Sequence, residues 1–291
     1  MTTQTRAYLY ALAAVLCWST VASAFELGLR SLTPVQLLLY ASAASVAVLF
    51  AVLAVQGKLR LFAEWGLRDY VKSALLGALN PFLYYLVLFR AYALLPGQEA
   101  QALNYTWAVV LALLSIPLLH QSIRPLSLLA IGISFAGVYV ISTRGDLTGM
   151  RFEEPLGVGL AVGSSLVWAL FWIFNLRDSR DEVAKLFLNF AFGFLFVLIF
   201  AWSRGEVLLP GRAGLLAGAY VGCFEMGLTF VLWLKALTLS RTTAQVSNLV
   251  FLSPFLSLVL LHHVVGESIH ASSVAGLALI VAGILVQRRS A

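Results

Sequence analysis

Hydrophobic residues along this chain are gathered into long continuous stretches, and short polar connections separate them. Each stretch approaches the roughly 20 apolar residues that a membrane-spanning helix needs. Because the stretches are continuous and do not alternate with polar residues, they predict helices and not the strands of a barrel. Ten spans are predicted: Ala7–Phe25, Val35–Gln56, Ser73–Phe89, Ala100–Leu119, Pro125–Ile141, Leu156–Leu176, Val183–Trp202, Ala213–Leu234, Ala244–Leu261 and Ala271–Val286.

Composition narrows the class of protein. Of the 291 residues, 61% are hydrophobic and 11% are charged, whereas a soluble domain is about 45–50% apolar and about 25% charged. A soluble enzyme, a nucleic-acid-binding domain and a disordered chain do not fit these values. Both cysteines, Cys17 and Cys223, lie inside apolar stretches, which indicates neither a disulfide framework nor a zinc site. The pattern predicts an all-α polytopic membrane protein that is surrounded by the lipid bilayer.

Lysine and arginine residues predict the orientation of the chain. With the N-terminus inside, thirteen of them lie in inner segments and five in outer segments. The second connection alone holds Lys58, Arg60, Arg68 and Lys72. Because cytoplasmic connections are enriched in positive charge, both termini are expected in the cytoplasm. The net charge of +6 is therefore attributed to membrane orientation and not to a nucleic-acid partner.

The two halves of the chain resemble each other at an offset of about 144–150 residues. The matches are Trp18 with Trp168, Phe89-Arg90-Ala91 with Leu234-Lys235-Ala236, and 101–104 with 245–248. They predict a repeat of five spans in residues 1–145 and again in residues 146–291. Because five is odd, the second copy must be inverted relative to the first. Inverted repeats are common in alternating-access transporters, which bind their solute near the midplane of the membrane, between the repeats.

Glycines recur at every fourth position in two of the predicted spans. Span six contains Gly159 and Gly163, and span eight contains Gly214, Gly218 and Gly222. Small residues at this spacing allow helices to approach closely. We therefore expect both stretches to pack tightly against neighbouring spans.

Polar and aromatic residues near the middle of the spans are the candidates for binding a solute, since polar groups at this depth usually face protein or a water-filled cavity. In span four, Gln101, Asn104 and Tyr105 share one helical face. In span three, Pro81 is expected to break the helix beside Asn80, because proline removes a backbone hydrogen bond. The full candidate set is Trp18, Asn80, Tyr84, Tyr85, Gln101, Asn104, Tyr105, Trp107, Trp168, Trp172, Glu225, Gln245 and Asn248.

Two interpretations of these residues stay open. Amides can simply join helices, and aromatic residues can fill cores or anchor at interfaces. Alternatively, their recurrence at repeat-equivalent positions indicates a cavity with aromatic walls, neutral amides and little fixed charge. Such a cavity suits an amphipathic or zwitterionic small molecule, and its rings could also accept a planar cation. Glu225, the only carboxylate well inside a span, could couple proton entry to export or could be a polar helix contact.

The end of the second repeat resembles a known family. Leu252-Ser253-Pro254-Phe255, Val265-Gly266-Glu267, Gly276 and Gly283, together with Trp18 and Trp168, are similar to the ten-span exporters of the drug/metabolite transporter superfamily, which consist of two EamA-type repeats. The aromatic residues of spans three, four and six look most like those of the aromatic amino-acid exporters. Tyr40 stands where this family frequently has an arginine in its second span.

The resemblance and the candidate residues together predict a secondary transporter of the bacterial inner membrane. We expect it to export amino acids, aromatic and other neutral ones, and related amphipathic small molecules. A multidrug or quaternary-cation exporter, a membrane enzyme and a passive channel are the alternatives. No hydrolase, phosphate-loop or metalloprotease motif occurs, so no catalytic residue, cofactor or metal is expected. A monomer is compatible with the sequence, which leaves the oligomeric state and the coupling ion open.

Overall fold

A computed structural model describes residues 2–107, 110, 113, 114, 118, 125–146, 154–240 and 248–290. Within these ranges every regular element is a helix, as the continuous apolar stretches predict. Six helical stretches are long and apolar enough to cross a membrane: Thr3–Leu29, Pro34–Val55, Leu67–Tyr92, Pro155–Asn175, Glu182–Ser203 and Arg212–Ala236. Three shorter apolar helices are Ile131–Ser142, Leu252–Val265 and Ala271–Val286.

The α-helices of the described ranges follow one another with short connections. They are α1 (Thr3–Leu29), α2 (Pro34–Val55), α3 (Leu67–Gly77), α4 (Tyr84–Tyr92), α5 (Gly97–Asn104), α6 (Pro125–Ser142), α7 (Pro155–Leu176), α8 (Glu182–Ser203), α9 (Arg212–Tyr220), α10 (Leu228–Leu239), α11 (Leu252–Leu260) and α12 (Ala271–Ser290). Short 3-10 helices occupy Lys58–Glu64 and Asn248–Phe251. This arrangement is compatible with the ten predicted spans, of which the fourth and ninth lie only partly within the described residues.

Two of the spanning stretches are interrupted by π-helical segments, at positions that would be equivalent in the predicted repeat. The first segment, Ala78–Leu83, joins α3 to α4, and the second, Val221–Glu225, precedes α10. Pro81 lies inside the first segment and Asn80 has non-helical backbone angles, so the predicted break in span three is confirmed. Local departures of this kind bend a helix and free backbone groups. They place Asn80 and Glu225 at the bends, deep in the bundle.

Helices pack across the two halves of the chain. α1 packs on α10, and α7 packs on α4. Similarly, α2 packs on α8, and α6 packs on α12. In each pair, one helix precedes residue 146 and the other follows it, so within the described residues the helices of the two halves pack directly on each other.

Glycines allow a further close approach, between α2 and the span-eight stretch, which consists of α9 and Val221–Glu225. A Cβ atom on Gly222 would collide with the carbonyl oxygen of Ala41, and one on Gly218 would lie 2.6 Å from the Cβ of Tyr40. The prediction of tight packing is thus confirmed for span eight. For Gly159 and Gly163 in span six, a Cβ atom would meet no described atom within 4 Å, so tight packing there stays a prediction. Spacing alone does not show which face of a helix meets a neighbour.

Candidate substrate site

The central cavity is a space of about 80 Å³ between α1, α4, α5 and α7. Its lining is mostly aromatic and apolar, with two amides and one carboxylate. The lining residues are Trp18, Val21, Phe25, Tyr84, Leu88, Tyr92, Gln101, Asn104, Tyr105, Trp107, Trp168, Glu225 and Val250. Eight of the sequence-predicted site residues are therefore brought together here: Trp18, Tyr84, Gln101, Asn104, Tyr105, Trp107, Trp168 and Glu225.

Aromatic rings from both halves of the chain meet at the wall of the central cavity. The rings of Tyr84 and Trp168 lie 4.7 Å apart with a tilt of 38°. Phe25 meets Tyr92 edge to face at 5.1 Å. Tilted and edge-to-face arrangements are favourable for aromatic pairs. The wall therefore presents both ring faces and ring edges to whatever occupies the cavity.

The two cavity-lining amides already bind neighbouring helices. Gln101 Nε2 donates to Ser257 Oγ at 2.8 Å, which connects α5 to α11. Asn104 Nδ2 donates to Ser164 Oγ at 2.8 Å, and its Oδ1 accepts from the Tyr84 hydroxyl at 3.3 Å. These contacts are the helix-joining role that amides commonly have in membrane bundles. Both side chains are therefore held in place by helix contacts, although each amide keeps a second N–H group that these bonds do not use.

Two other lining residues carry buried polar atoms without a hydrogen-bond partner among the described residues. Glu225 Oε1 accepts from the Tyr85 hydroxyl at 3.0 Å, and the side chain of Trp18 also interacts with the carboxylate, whereas Oε2 has no hydrogen bond of regular geometry. The indole Nε1 of Trp168 is also unpaired. Glu225 is 6% exposed and Trp168 is 8% exposed. Because unpaired buried polar groups are rare and costly, one acceptor and one donor at this cavity indicate a place where a ligand binds.

The remaining candidate residues lie elsewhere. Tyr85 is fully buried behind Glu225 and does not line the cavity. Asn80 is also fully buried, and neither of its side-chain amide atoms has a partner within the described ranges. Trp172 lines a second cavity, presented below. Gln245 and the side chain of Asn248 lie outside the described residues.

Sequence reasoning missed four apolar lining residues and Tyr92. On α4, Tyr84, Leu88 and Tyr92 lie four residues apart, so they share one helical face. The same argument extends the face of Trp18 on α1 to Phe25. Helical spacing from the predicted aromatic residues could have identified both Tyr92 and Phe25.

Comparison with protein families shows which family the chain belongs to. The model of the EamA-like transporter family matches residues 5–143 and 155–288, which is nearly the whole chain. This chain belongs to the EamA-like transporter family. It is thus a multi-pass membrane transporter, as the resemblance at the sequence level implies. The family match does not extend to the predicted specificity for aromatic amino acids.

Two relatives of this EamA-like transporter are described as uncharacterized transporters. The chain is 29% identical over 240 residues to the uncharacterized transporter YvbV of Bacillus subtilis (strain 168), covering 80% of this chain and 75% of that protein. It is 25% identical over 182 residues to an uncharacterized transporter of Clostridium kluyveri, covering 60% of this chain and 57% of the relative. A protein of known crystal structure has a TM-score of 0.67 and 23% identity over 98% of each chain. At that identity, the match shows the fold alone.

At one end of the transporter, an ion-pair cluster joins the two halves; it consists of Lys58, Lys72, Asp178, Arg180 and Asp181. Asp178 pairs with Arg180 at 2.5 Å and with Lys72 at 3.4 Å. Asp181 pairs with Lys58 at 2.7 Å and also caps α8 by accepting from two backbone N–H groups. Lys58 and Lys72 precede residue 146, whereas the other three residues follow it, so the cluster ties the halves together.

Arg180 and its neighbours determine the electrostatics of this cluster. The guanidinium also donates to the carbonyl oxygen of Asp69 at 2.8 Å and lies 4.6 Å from the ring centre of Trp65. Burial alone would raise the pKa of Asp178, but hydrogen bonds from Arg180 and the charges of Arg180 and Lys72 outweigh it. They lower the pKa of Asp178 to about 2, so it is ionised throughout the physiological range.

A polar cluster at the opposite end of the bundle also connects the halves. Gln98 Nε2 donates to Glu267 Oε1 and to the carbonyl oxygen of Ser268, both at 2.7 Å. Arg144 pairs with Glu99 at 2.9 Å. The positive φ of Gly266 (81°) forms the turn that brings Glu267 toward Gln98, and this conformation favours glycine. The Val265-Gly266-Glu267 stretch therefore has a structural role at this end.

Proposed function

We propose that this protein is a bacterial inner-membrane exporter of amino acids, aromatic and other neutral ones, and of related amphipathic small molecules. The observation that supports it is the chemistry of the central cavity. Aromatic rings wall the cavity, and it holds one unpaired carboxylate oxygen and one unpaired indole N–H group. This combination offers a partner for each part of an amino-acid zwitterion.

The polar parts of the solute bind at the two unpaired atoms. Its ammonium group donates to Glu225 Oε2, and its carboxylate accepts from Trp168 Nε1. Such charge-assisted hydrogen bonds are roughly twice as strong as neutral ones. The side chain of the solute packs against Tyr84 and the neighbouring rings in offset or edge arrangements. Aromatic side chains gain most from these contacts.

The size of the central cavity favours alternating access. Small-molecule sites occupy roughly 300–1,000 Å³, and the central cavity has about 80 Å³. Solute binding therefore needs the walls to move apart. Movement of residues 1–145 against residues 146–291, as two inverted five-helix repeats, would do this. Helix packing across the halves and the equivalent π-helical bends support this arrangement.

Orientation follows from charge. Cytoplasmic connections are enriched in lysine and arginine, so the end with the ion-pair cluster faces the cytoplasm and both termini lie there. Export then carries the solute from that end, through the central cavity, to the opposite end.

A second candidate function is the export of organic cations. Glu225 is the one charged residue among the described lining residues of the central cavity. A carboxylate next to aromatic rings also suits a planar or quaternary cation. Competition separates the candidates: viologens or cationic dyes would inhibit phenylalanine flux strongly if cations were the preferred solutes.

The test is the flux of radiolabelled phenylalanine and tryptophan in proteoliposomes. Flux well above that of empty vesicles supports the proposal, and flux equal to that of empty vesicles contradicts it. Trp168→Phe keeps a ring and removes the N–H group, so it should weaken phenylalanine transport. The matched control is Trp202→Phe, because Trp202 is 76% exposed at the end of α8. Equal rates in both variants would contradict the role of Trp168.

A further inference from the structure

A second, larger cavity lies at the end of the bundle that carries the ion-pair cluster. Its volume is about 470 Å³, which falls in the range of roughly 300–1,000 Å³ that is typical of small-molecule sites. It is formed by the end of α2, the connection between α7 and α8, and part of α10. Unlike the central cavity, it can hold a solute without movement of its walls.

Unpaired amide atoms lie on two sides of this second cavity. Asn175, near the end of α7, is 3% exposed, and its Nδ2 has no partner among the described residues. Gln56, at the end of α2, has a buried Oε1 that is also unpaired. The carbonyl oxygen of Asn175, by contrast, accepts from Lys185 Nζ at 3.0 Å, which fixes the backbone at this position. One unpaired donor, Asn175 Nδ2, and one unpaired acceptor, Gln56 Oε1, therefore lie in different halves of the chain.

The charged residues that line the second cavity nearly balance one another. The cations are Lys58, Arg180, Lys185 and Lys235, and the anions are Asp178, Asp181 and Glu182. Both aspartates are paired within the ion-pair cluster. A site with neutral amides and balanced charges favours a zwitterion over a solute with a net charge, because it has no strong field of one sign.

Three aromatic side chains separate the second cavity from the central one. Trp172 lines the second cavity, and Trp168, one turn earlier on α7, lines the central cavity. The ring of Trp172 stacks on Phe230 at 5.9 Å with an angle of 7°, and it meets Trp168 edge to face at 5.8 Å. The two cavities are therefore arranged in series with an aromatic barrier between them.

We propose that the second cavity is a separate loading site for zwitterionic solutes, which Asn175 and Gln56 bind before the Trp172–Phe230 pair opens toward the central cavity. This inference rests on the proposed transport function, because the solute is the same. It adds a binding site and a barrier that the transport proposal does not require.

Cysteine protection tests this inference on the purified full chain. In a background that carries Cys17→Ala and Cys223→Ala, Ser179→Cys introduces one thiol at the exposed lining of the second cavity. Phenylalanine is expected to slow maleimide labelling of this thiol. 3-Phenylpropionate and phenethylamine, which each lack one charged group, should protect only at concentrations about tenfold higher.

Two further variants decide where the protecting solute is bound. Asn175→Leu should raise the half-protecting phenylalanine concentration about tenfold. Asn189→Leu is the matched control, since Asn189 is also a buried asparagine with unpaired side-chain atoms but lines neither cavity. Glu225→Gln, which changes the central cavity, should leave the half-protecting concentration unchanged.

The outcomes separate this inference from the proposed function. Absence of protection, or equal effects of Asn175→Leu and Asn189→Leu, would overturn the loading site even if flux is present. Loss of protection in Glu225→Gln would also overturn it, because the protection would then arise from the central cavity. Protection without flux in proteoliposomes would keep the binding site and contradict the transport function. Unchanged labelling in the absence of solute serves as the check on folding.

Discussion

Glu225 places a carboxylate against the aromatic wall of the central cavity, with one oxygen bound by Tyr85 and the other unpaired. The bond from Tyr85 orients the carboxylate, so its free oxygen is held in a fixed position. The neighbouring amides Asn104 and Gln101 each already donate one N–H group to a serine of another helix, Ser164 and Ser257 respectively. At the residue scale, the proposed recognition of an ammonium group thus depends on Glu225.

Replacement of Glu225 by glutamine tests this role. Glu225→Gln keeps the size and the acceptor for Tyr85 but removes the charge. Hydrogen bonds to charged groups contribute about 1.5–3 kcal/mol, so kcat/KM for phenylalanine should fall about 10- to 100-fold. Initial rates of flux in proteoliposomes give this value. Glu64→Gln, on an exposed residue of a 3-10 helix, is the control, and equal kcat/KM in the two variants would refute the role of Glu225.

The helices could be predicted from the sequence, because they depend on local patterns of apolar residues. Trp18 and Trp168 could be predicted as site residues because they match across the two halves of the chain, and Tyr84 because it lies about one turn after Asn80-Pro81 in span three. The atoms that remain free for a solute could not be predicted. They depend on whether a serine of another helix approaches each amide, as Ser257 does with Gln101. The exclusion of Asn80 from the central cavity depends in the same way on how α3 and α8 pack.

Capping at the element scale connects the two halves of the chain. Thr33 caps α2 and donates to Glu206, which follows α8. Asp181 caps α8 and pairs with Lys58, which follows α2. The residue that caps α2 therefore binds the connection that follows α8, and the residue that caps α8 binds the connection that follows α2. This exchange is what an inverted repeat with a twofold relation between α2 and α8 would produce.

A glycine substitution tests the close packing of α2. Gly222→Ala would force a Cβ atom against the carbonyl oxygen of Ala41, so it should destabilise the protein by about 1–3 kcal/mol. Gly159→Ala is the matched control, because a Cβ atom there meets no described atom within 4 Å. Alanine in a helix interior should instead stabilise by about 0.5–1 kcal/mol. Thermal unfolding in detergent should give opposite shifts in Tm, and shifts of the same sign would contradict the packing.

The ion-pair cluster has a predictable pH dependence. The pKa of Asp178 is lowered to about 2 in the folded protein, below its ordinary value of 3.8. A lowered pKa contributes stability that is fully present above the unfolded value and is lost as the pH falls through the folded value. The coupling energy between Asp178→Asn and Arg180→Gln, from a double-mutant cycle of unfolding, should therefore be constant from pH 8 to pH 5. It should decrease only below about pH 4, and a decrease between pH 7 and pH 5 would contradict the assignment.

The whole molecule combines cross-half packing with a small central cavity. Clusters at both ends tie the halves together, and the central cavity of about 80 Å³ is too small for an amino acid. On the proposed function, solute enters the central cavity only when the ties at one end open. A channel would instead need a continuous path, whereas the described rings of Trp168, Trp172 and Phe230 lie between the two cavities.

Counterflow tests the central claim most directly. Proteoliposomes loaded with unlabelled phenylalanine are diluted into a low concentration of labelled phenylalanine, and internal label is followed over time. A carrier with a single alternating site should accumulate label transiently above its external concentration, because exchange is faster than net loss. A rise that only approaches the external concentration, with the same time course as in unloaded vesicles, would contradict transport of amino acids by alternating access.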